Sequence, residues 1–504
     1  MSELPLGGLT GAAEFSAPSR FEELRVSLTP QVVTLDPVSR IEGHLKIEVA
    51  IEKVQGQFTV VDAWSTGTAF RGIEAILVNR HPWDAVPITQ RICGVCPVSH
   101  GLAATLAIEQ ASGVAAPDAA RILRNLVLGA NFLQSHILHF YHLAALDYVA
   151  GPDMPPWQPR WTSDLRLDPT ATDRLVGHYV QALAMRRKAH EMGAVFGGRL
   201  PHPPTYVPGG FTARPSASRK SLFTSYVNEL VTWIESVYIP DVELLAAAYD
   251  DYFTVGVGSG NLLAFGVFDL DAGGAQKLLA RGRVEAGGTT VQPVELSAIV
   301  ESTAHSWYAP STDNLPPAVG STVPQCPKSG AYSWLKAPRY GGQPYEAGPL
   351  ARMWVNGDYR NGVSVMDRHR ARAYEALKVA QAMQGWIAAL PDSAATYIPN
   401  RPPTAGTGVG LTEAARGALG HWLTIANGVI NHYQVITPTC WNASPRDGAG
   451  VRGPIEQALL GTPVLDIDQP IEVLRVIHSY DPCLSCAVHV LDGDGQPLAV
   501  LRAG

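Results

Sequence analysis

Six cysteines in 504 residues are too few for a disulfide scaffold. The chain also lacks any uninterrupted apolar stretch of the ~18 residues that a membrane-spanning helix needs, which excludes a span of that kind. Charge is scarce: 16% of residues are charged against 46% hydrophobic. That balance points to extensive burial, in a large core or against a partner. There is no Lys/Arg-rich run, and the net charge of -7 argues against nucleic acid as a partner. Met1 to Phe15 has neither the basic nor the apolar region of a secretory signal, so any export would have to be directed by a partner. No internal repeat or low-complexity tract is visible. The length allows several domains or one large enzyme body.

Periodicity supplies most of the elements. Residues 1–31 read as a loose N-terminal arm rich in Gly, Ser and Pro. From Leu45 the chain alternates apolar and polar as a half-buried strand does, and a second strand is expected around Phe58–Trp64. A helix bearing Ile73, Ile76 and Leu77 follows. Pro97 suits the first turn of a helix reaching about Ala111. Asp118 to Val149 reads as one long helix, apolar on nearly every face and therefore buried. More helices are expected near 171–195, 218–249 and 367–390, and strands near Trp422–Ile425 and Tyr433–Ile436. A further helix starts near Pro454. Gly- and Pro-rich stretches near 150–165, 200–216, 308–350 and 398–410 read as loops. The expected fold class is α+β, mainly α-helical, with long buried helices and small peripheral β-sheets.

The cysteines that are present are not scattered evenly. Four fall in two Cys-x-x-Cys pairs, each followed by a histidine: Arg91-Ile-Cys93-Gly-Val-Cys96-Pro-Val-Ser-His100 and Asp481-Pro-Cys483-Leu-Ser-Cys486-Ala-Val-His489. Thiolates are soft ligands suited to zinc, nickel, copper(I) or iron. Cys93 and Cys96 stand at an expected helix N-terminus, which favours thiolate over thiol. Two such pairs often hold a structural zinc, but those pairs usually lie close in sequence, where the metal substitutes for a missing core. Here they lie near opposite ends of a chain with ample core. Glu42, His44, His100, Asp481 and His489 cluster near the same ends, although each taken singly reads as a structural polar group. His136, His139 and His142 could ligate a metal, but on a buried helix packing is the favoured reading. Cys326 and Cys440 have no pairing pattern and read as small hydrophobes.

These motifs resemble those of the large subunit of the [NiFe] hydrogenases. Arg40-Ile-Glu-Gly-His, Arg71-Gly-Ile-Glu74, Phe140-Tyr-His-Leu, Val207-Pro-Gly-Gly, Arg416-Gly-Ala-Leu-Gly-His-Trp and Trp441-Asn-Ala-Ser-Pro-Arg-Asp are similar to family blocks and stand in family order. The resemblance covers residues 32–489, implying a single catalytic body. It implies a Ni-Fe(CO)(CN)2 centre with Cys93 and Cys483 as terminal nickel ligands and Cys96 and Cys486 as bridges to iron. Arg416 then lies over the open metal position, Thr439 bonds a cyanide, and Ala415 stands where the family has a proline near the iron ligands. Asp481 and His100 flank the site, and Glu42 takes the first proton from Cys483. Glu74, the Val435 carbonyl and His489 imply a magnesium (or iron) site.

The reaction implied is reversible cleavage of H2 into protons and electrons, in the uptake direction, with flanks most similar to the membrane-associated uptake type. Iron–sulfur clusters would sit on a small-subunit partner, since this chain has no spare cysteine clusters for them. A maturation chaperone, a nickel-dependent endopeptidase and a membrane cytochrome b are further implied partners. The endopeptidase would cut between His489 and Val490 and remove 490–504. The implied location is the periplasmic face of the membrane, reached with the small subunit's signal, with the cytoplasm as the alternative. Two departures stand out: Ala415, and Ser135 where the resemblance leads one to expect an aspartate paired with Arg416. An H2 sensor and a non-catalytic respiratory-complex subunit of the same fold are the rival readings, beside a protein built on a four-cysteine zinc.

Overall fold

Leu45, Ile47 and Val49 alternate with polar neighbours, and they turn inward from an inner strand of an antiparallel sheet. The computed structural model describes residues 30–484. In it β1 (Gln31–Leu35), β2 (Leu45–Val54) and β3 (Gln57–Gly67) lie side by side, with the two-residue strand Pro463–Val464 on the outer edge of β3. A second antiparallel sheet joins β4 (Gly406–Ala414), β5 (Gly417–Ala426) and β6 (Val429–Ile436). The β5–β6 turn is Asn427-Gly428, both at positive φ, a pair that suits a tight hairpin.

Helix is the most abundant element of the body. The helices include α1 (Pro97–Ser112), α2 (Asp118–Ile137), α3 (Pro169–Gly197), α4 (Ala217–Trp233), α5 (Pro349–Asn356), α6 (Val365–Ala389) and α7 (Ile471–Ser479). Helix α2 is buried along nearly its whole length and packs against α3 and α6. It was expected to run on to Val149. Instead a π-helical stretch, Leu138–Ala144, and a 3-10 turn, Ala145–Asp147, complete it. The segment expected near 218–249 is likewise α4 followed by a π turn, Ile234–Tyr238, and helix Ile239–Ala248.

Three expected loops contain strands, the first being the pair Tyr206–Val207 and Gly210–Phe211 in the stretch near 200–216. Ala337–Tyr340 pairs with Ile299–Ser302, and β4 begins at Gly406. The glycines that made β4 read as a loop have a packing reason. A Cβ on Gly408 would stand 1.8 Å from the Ala107 carbonyl oxygen, and one on Gly410 1.8 Å from that of Ala103. Only bare backbone lets β4 lie this close to α1, so the sheet and the helix that carries the first cysteine pair are locked together.

The scarce charges are partly spent inside. Arg352 is fully buried and bonds Glu375 (2.6 and 2.8 Å) and Glu413 (2.8 Å), tying α5 to α6 and β4. Arg368 does the same for Glu346, with both bonds at 2.8 Å.

Candidate metal centre

The first cysteine pair is shaped by the turn before α1. Cys93 is extended after the 3-10 turn Gln90–Ile92, and Cys96 is the N-cap of α1. The N–H groups of Val95 and Cys96 both point at Cys93 Sγ, at 3.2 Å each. Such donors at a helix start favour the thiolate.

The second pair arrives from the other end. Helix α7 stops at Tyr480, Asp481 adopts a left-handed φ of 53°, and Pro482 prevents continuation. Cys483 then bridges Glu42 in parallel fashion, and the Leu484 N–H donates to the Glu42 carbonyl. Chain ends separated by most of the sequence are thus stitched by backbone. Cys483 Sγ lies 3.3 Å from Cys93 Sγ, and the sulfurs of Cys93, Cys96 and Cys483 all fall within 4.8 Å of one another. All three are buried. Buried thiolates this close repel unless a cation is shared, so the donor set fits a soft metal. Among the described residues it is the one such cluster of three. Cys486, His489 and Val490 lie outside the described residues.

Arg416 is presented by the two-residue turn Ala415–Arg416 between β4 and β5. Its Nε lies 3.0 Å from Asp481 Oδ1, near enough for an ion pair but off the axis of a hydrogen bond. Its Nη1 donates to Ser135 Oγ at 3.4 Å. Nε and Nη2 are buried donors with no hydrogen-bond acceptor among the described residues, and Asp481 Oδ2 is a buried acceptor with no donor. Burial opposes the charge on Arg416, but the charges of Asp481, Cys483, Cys96 and Cys93 outweigh it and hold the guanidinium firmly protonated. Ala415 is buried, and its carbonyl accepts Arg352 Nη2 at 2.8 Å. Thr439 Oγ1 accepts the Cys483 N–H at 2.9 Å, which leaves its own hydrogen available to a further acceptor.

Glu42 is half-buried, and its Oε1 receives the Gly94 N–H at 3.4 Å, beside Cys93. His44 is exposed and takes no part in the cluster. His100 is wholly buried, and burial drives its pKa down to about 4 despite the nearby Cys93 charge. Its Nδ1 is 3.1 Å from His421 Nε2.

Glu74 stands apart from the cysteines. Its Oε1 accepts the Val435 N–H at 2.8 Å, its Oε2 accepts the Thr322 hydroxyl, and Lys336 Nζ is 3.9 Å away. Val435 opposes His421 in the hairpin and turns its N–H outward to Glu74. In an antiparallel ladder the carbonyl of such a residue faces the same way. Carboxylate and carbonyl thus share a cavity of about 40 Å³, which Glu301 and Cys440 also line. Two donors of the expected magnesium set fit a small cation there.

The three histidines of α2 and its π-helical continuation do not converge. His136 Nε2 bonds Glu375 at 2.9 Å, His139 Nε2 the His478 carbonyl at 2.6 Å, and His142 Nε2 the Tyr179 carbonyl at 3.3 Å. Packing is their role. Cys440 is buried, and burial pushes its thiol up to about 11. Cys326 is exposed, which corrects the expectation of a small buried hydrophobe. Sequence reasoning missed Arg372, buried with its Nη2 on the Ser479 carbonyl at 3.0 Å, and the role of His421 and Tyr433 behind His100. No spacing signal marks them, because their neighbours come from other elements.

Comparison with known proteins agrees with this geometry. The family described as "Nickel-dependent hydrogenase" matches residues 71–154, 152–362 and 356–489, and one described as "HoxL-like" matches 32–57. The periplasmic [NiFeSe] hydrogenase large subunit of Desulfomicrobium baculatum is 42% identical over 92% of this chain and 95% of its own length. The uptake hydrogenase large subunit of Bradyrhizobium diazoefficiens is 35% identical over 93% and 97%. A solved Ni-Fe-Se hydrogenase from D. vulgaris Hildenborough superposes with a TM-score of 0.88 at 42% identity, covering 91% of this chain and all of that one.

Proposed function

This chain belongs to the nickel-dependent hydrogenase family as a large subunit, and from that premise we propose that it cleaves H2 reversibly, in the uptake direction, at a Ni-Fe(CO)(CN)2 centre held by Cys93, Cys96, Cys483 and Cys486. When bound, that group supplies the Lewis acid that polarises dihydrogen and the route by which two electrons depart. The protein supplies the rest. Cys483 Sγ receives the proton, and the carboxylate of Glu42, a residue whose backbone carbonyl accepts the Leu484 N–H, relays that proton outward. Arg416 contributes a fixed positive charge over the site, and Asp481 orients it. The Thr439 hydroxyl is placed to donate to a cyanide, and the Ala415 backbone holds the turn through Arg352. His100 closes the side of the cluster next to α1.

The observation that carries this reading is the combination of three converging buried sulfurs with two buried Arg416 donors that have no hydrogen-bond acceptor among the described residues. A structural zinc gives no use to those donors. The retained sulfurs also speak against a non-catalytic respiratory-complex subunit as a rival reading. Glu74, Val435 and His489 are proposed to hold magnesium (or iron). Electrons pass to an iron–sulfur small subunit, and a chaperone, a nickel-dependent endopeptidase and a membrane cytochrome b are proposed as further partners. No helix among the described residues is long and apolar enough to cross a membrane. The periplasmic face, reached with the small subunit, is the proposed location, supported by the relative named as periplasmic. The decisive measurement is metal analysis with infrared spectroscopy on the chain purified with its small subunit. Nickel, iron and CO and cyanide bands are expected; zinc alone without those bands would sink the proposal.

A further inference from the structure

The tip of Arg416 is loosely held. Its Nε lies off the axis of a hydrogen bond to Asp481, and its Nη1 bond to Ser135 is long at 3.4 Å. Nε and Nη2 have no hydrogen-bond acceptor among the described residues. A buried side chain gripped so weakly at its tip takes its position from its backbone.

That backbone is gripped by Arg352. All five N–H groups of Arg352 have acceptors. Nε donates to Glu375 Oε2 at 2.8 Å, Nη2 to Glu375 Oε1 at 2.6 Å, and Nη1 to Glu413 Oε2 at 2.8 Å. The two that remain go to main chain, Nη1 to the Ala414 carbonyl at 3.0 Å and Nη2 to the Ala415 carbonyl at 2.8 Å. These are the two residues immediately before Arg416. One planar fork thus holds two consecutive carbonyls of the turn. An ammonium, with three donors on a flexible stem, cannot do this while also meeting both glutamates.

The fork is itself fixed. Its side chain and those of both glutamates are wholly buried, and the guanidinium carbon lies 5.2 Å from the centre of the Phe132 ring. Burial pushes the Glu375 carboxyl up, but Arg352 and His136 outweigh it and hold it at about 2. His136 Nε2 stands 2.9 Å from Glu375 Oε1. Ser135 and His136 are consecutive on α2, so one turn of that helix touches Arg416 directly and Arg352 through Glu375. The base of α5 is secured too. Asn442 Oδ1 accepts the Ala347 N–H at 2.9 Å, and Asn442 Nδ2 donates to the Ala347 carbonyl at 2.7 Å. A Cβ on Gly417 would stand 2.8 Å from the Ala347 carbonyl carbon, so the turn lies backbone to backbone against that base.

We infer that Arg352 is a positioning residue for Arg416, gripping the Ala414 and Ala415 carbonyls so that the Arg416 guanidinium is aimed from its root rather than caught at its tip. The catalytic consequence rests on the nickel–iron reading above, whereas the grip on the turn does not.

Arg352→Lys keeps the charge and loses the fork. The purified heterodimer is read by crystallography, by infrared spectroscopy of the CO and cyanide stretches, and by kcat for H2 uptake per bound nickel. Residues 415–416 and the Arg416 guanidinium are expected to shift or to split between positions while the cysteine sulfurs stay in place. The bands are expected to shift, and kcat to fall about 10²-fold. In an Arg416→Lys background the same change is expected to lower kcat no further, because the two residues act as one unit. An unmoved Arg416 would overturn the inference. Losses that multiply in the double variant would overturn it as well, making Arg352 an independent support of the core. Should Arg352→Lys fail to assemble, Glu375→Gln, which sets an NH2 group against the fork, is read in the same way. A smaller displacement of the same residues is then expected, and an unmoved turn overturns the inference. Bands missing from the wild type would instead refute the nickel–iron reading, with the position of Arg416 in the variant still judging the grip.

Discussion

Glu42 is held by backbone on one side and offers a carboxylate on the other. Its carbonyl accepts the Leu484 N–H, and its Oε1 accepts the Gly94 N–H. In Glu42→Gln both contacts keep an acceptor, but the amide cannot take up a proton. H2 uptake is therefore expected to fall by about 10²–10⁴-fold with nickel content unchanged, the range for a lost acid–base group. Stopped-flow or electrode assays on the heterodimer decide it, and a wild-type rate would remove Glu42 from the relay. At this scale the cysteine spacing was legible because one turn of chain sets it. The placement of Arg416 was legible only through the resemblance. Its carboxylate, Asp481, and its weak partner, Ser135, come from the turn after α7 and from α2, and only folding brings them within 3.0 and 3.4 Å. The serine leaves the guanidinium charge balanced by Asp481 and the thiolates, so Arg416 is held through fewer charges than the resemblance led one to expect.

Among the elements, the β4–β5 hairpin does the most to position the site, because it carries Arg416 and lies against α1, which carries Cys96 and His100. Gly410→Ala would force a Cβ to within 1.8 Å of a helix carbonyl, and backbone on both sides cannot yield cheaply. A loss of about 1–3 kcal/mol or more is expected, together with reduced nickel retention because α1 must shift. Gly385 on α6 is the control. Nothing lies within 4 Å of its Cβ position, so Gly385→Ala is expected to be neutral or to stabilise by up to ~1 kcal/mol. Thermal melts and nickel content of both heterodimers test the pair, and equal behaviour would contradict the packing argument. The helices were readable from periodicity because an apolar pattern needs no knowledge of the neighbour. Strand β4 was not, since Gly406, Gly408 and Gly410 imitate a loop unless the helix against them is known. The π turn at Leu138–Ala144 left no mark in the pattern either, because the residues there are buried or half-buried all round and show no periodic face.

Across the whole molecule the two ends of the chain are brought together, and Asp147 is one of the clasps. It pairs with Arg40 near the N-terminal sheet and with His478 Nδ1 at 2.6 Å on α7. Burial pushes this carboxyl up, but Arg40 and His478 outweigh it and hold it at about 2. A depressed acid stabilises the fold above its unfolded pKa, near 4, and the gain disappears as pH falls from about 4 toward 2. That contribution is roughly 2 kcal/mol. Asp147→Asn is expected to flatten this part of the pH–stability curve in denaturant titrations, and an unchanged slope would contradict it. The second clasp is the cysteine centre itself, with Cys93 and Cys96 from one end and Cys483 from the other. Metal insertion into a centre shared between distant segments is simplest while the later segment is still free to swing in, and a removable extension after His489 provides a way to hold it open. The mature chain is accordingly expected to end at His489, with 490–504 absent. Intact-mass spectrometry of the chain taken from the nickel-loaded heterodimer and from nickel-starved cells provides the comparison. The short form should appear only with nickel, and a full-length chain in an active, nickel-loaded heterodimer would refute removal of the extension.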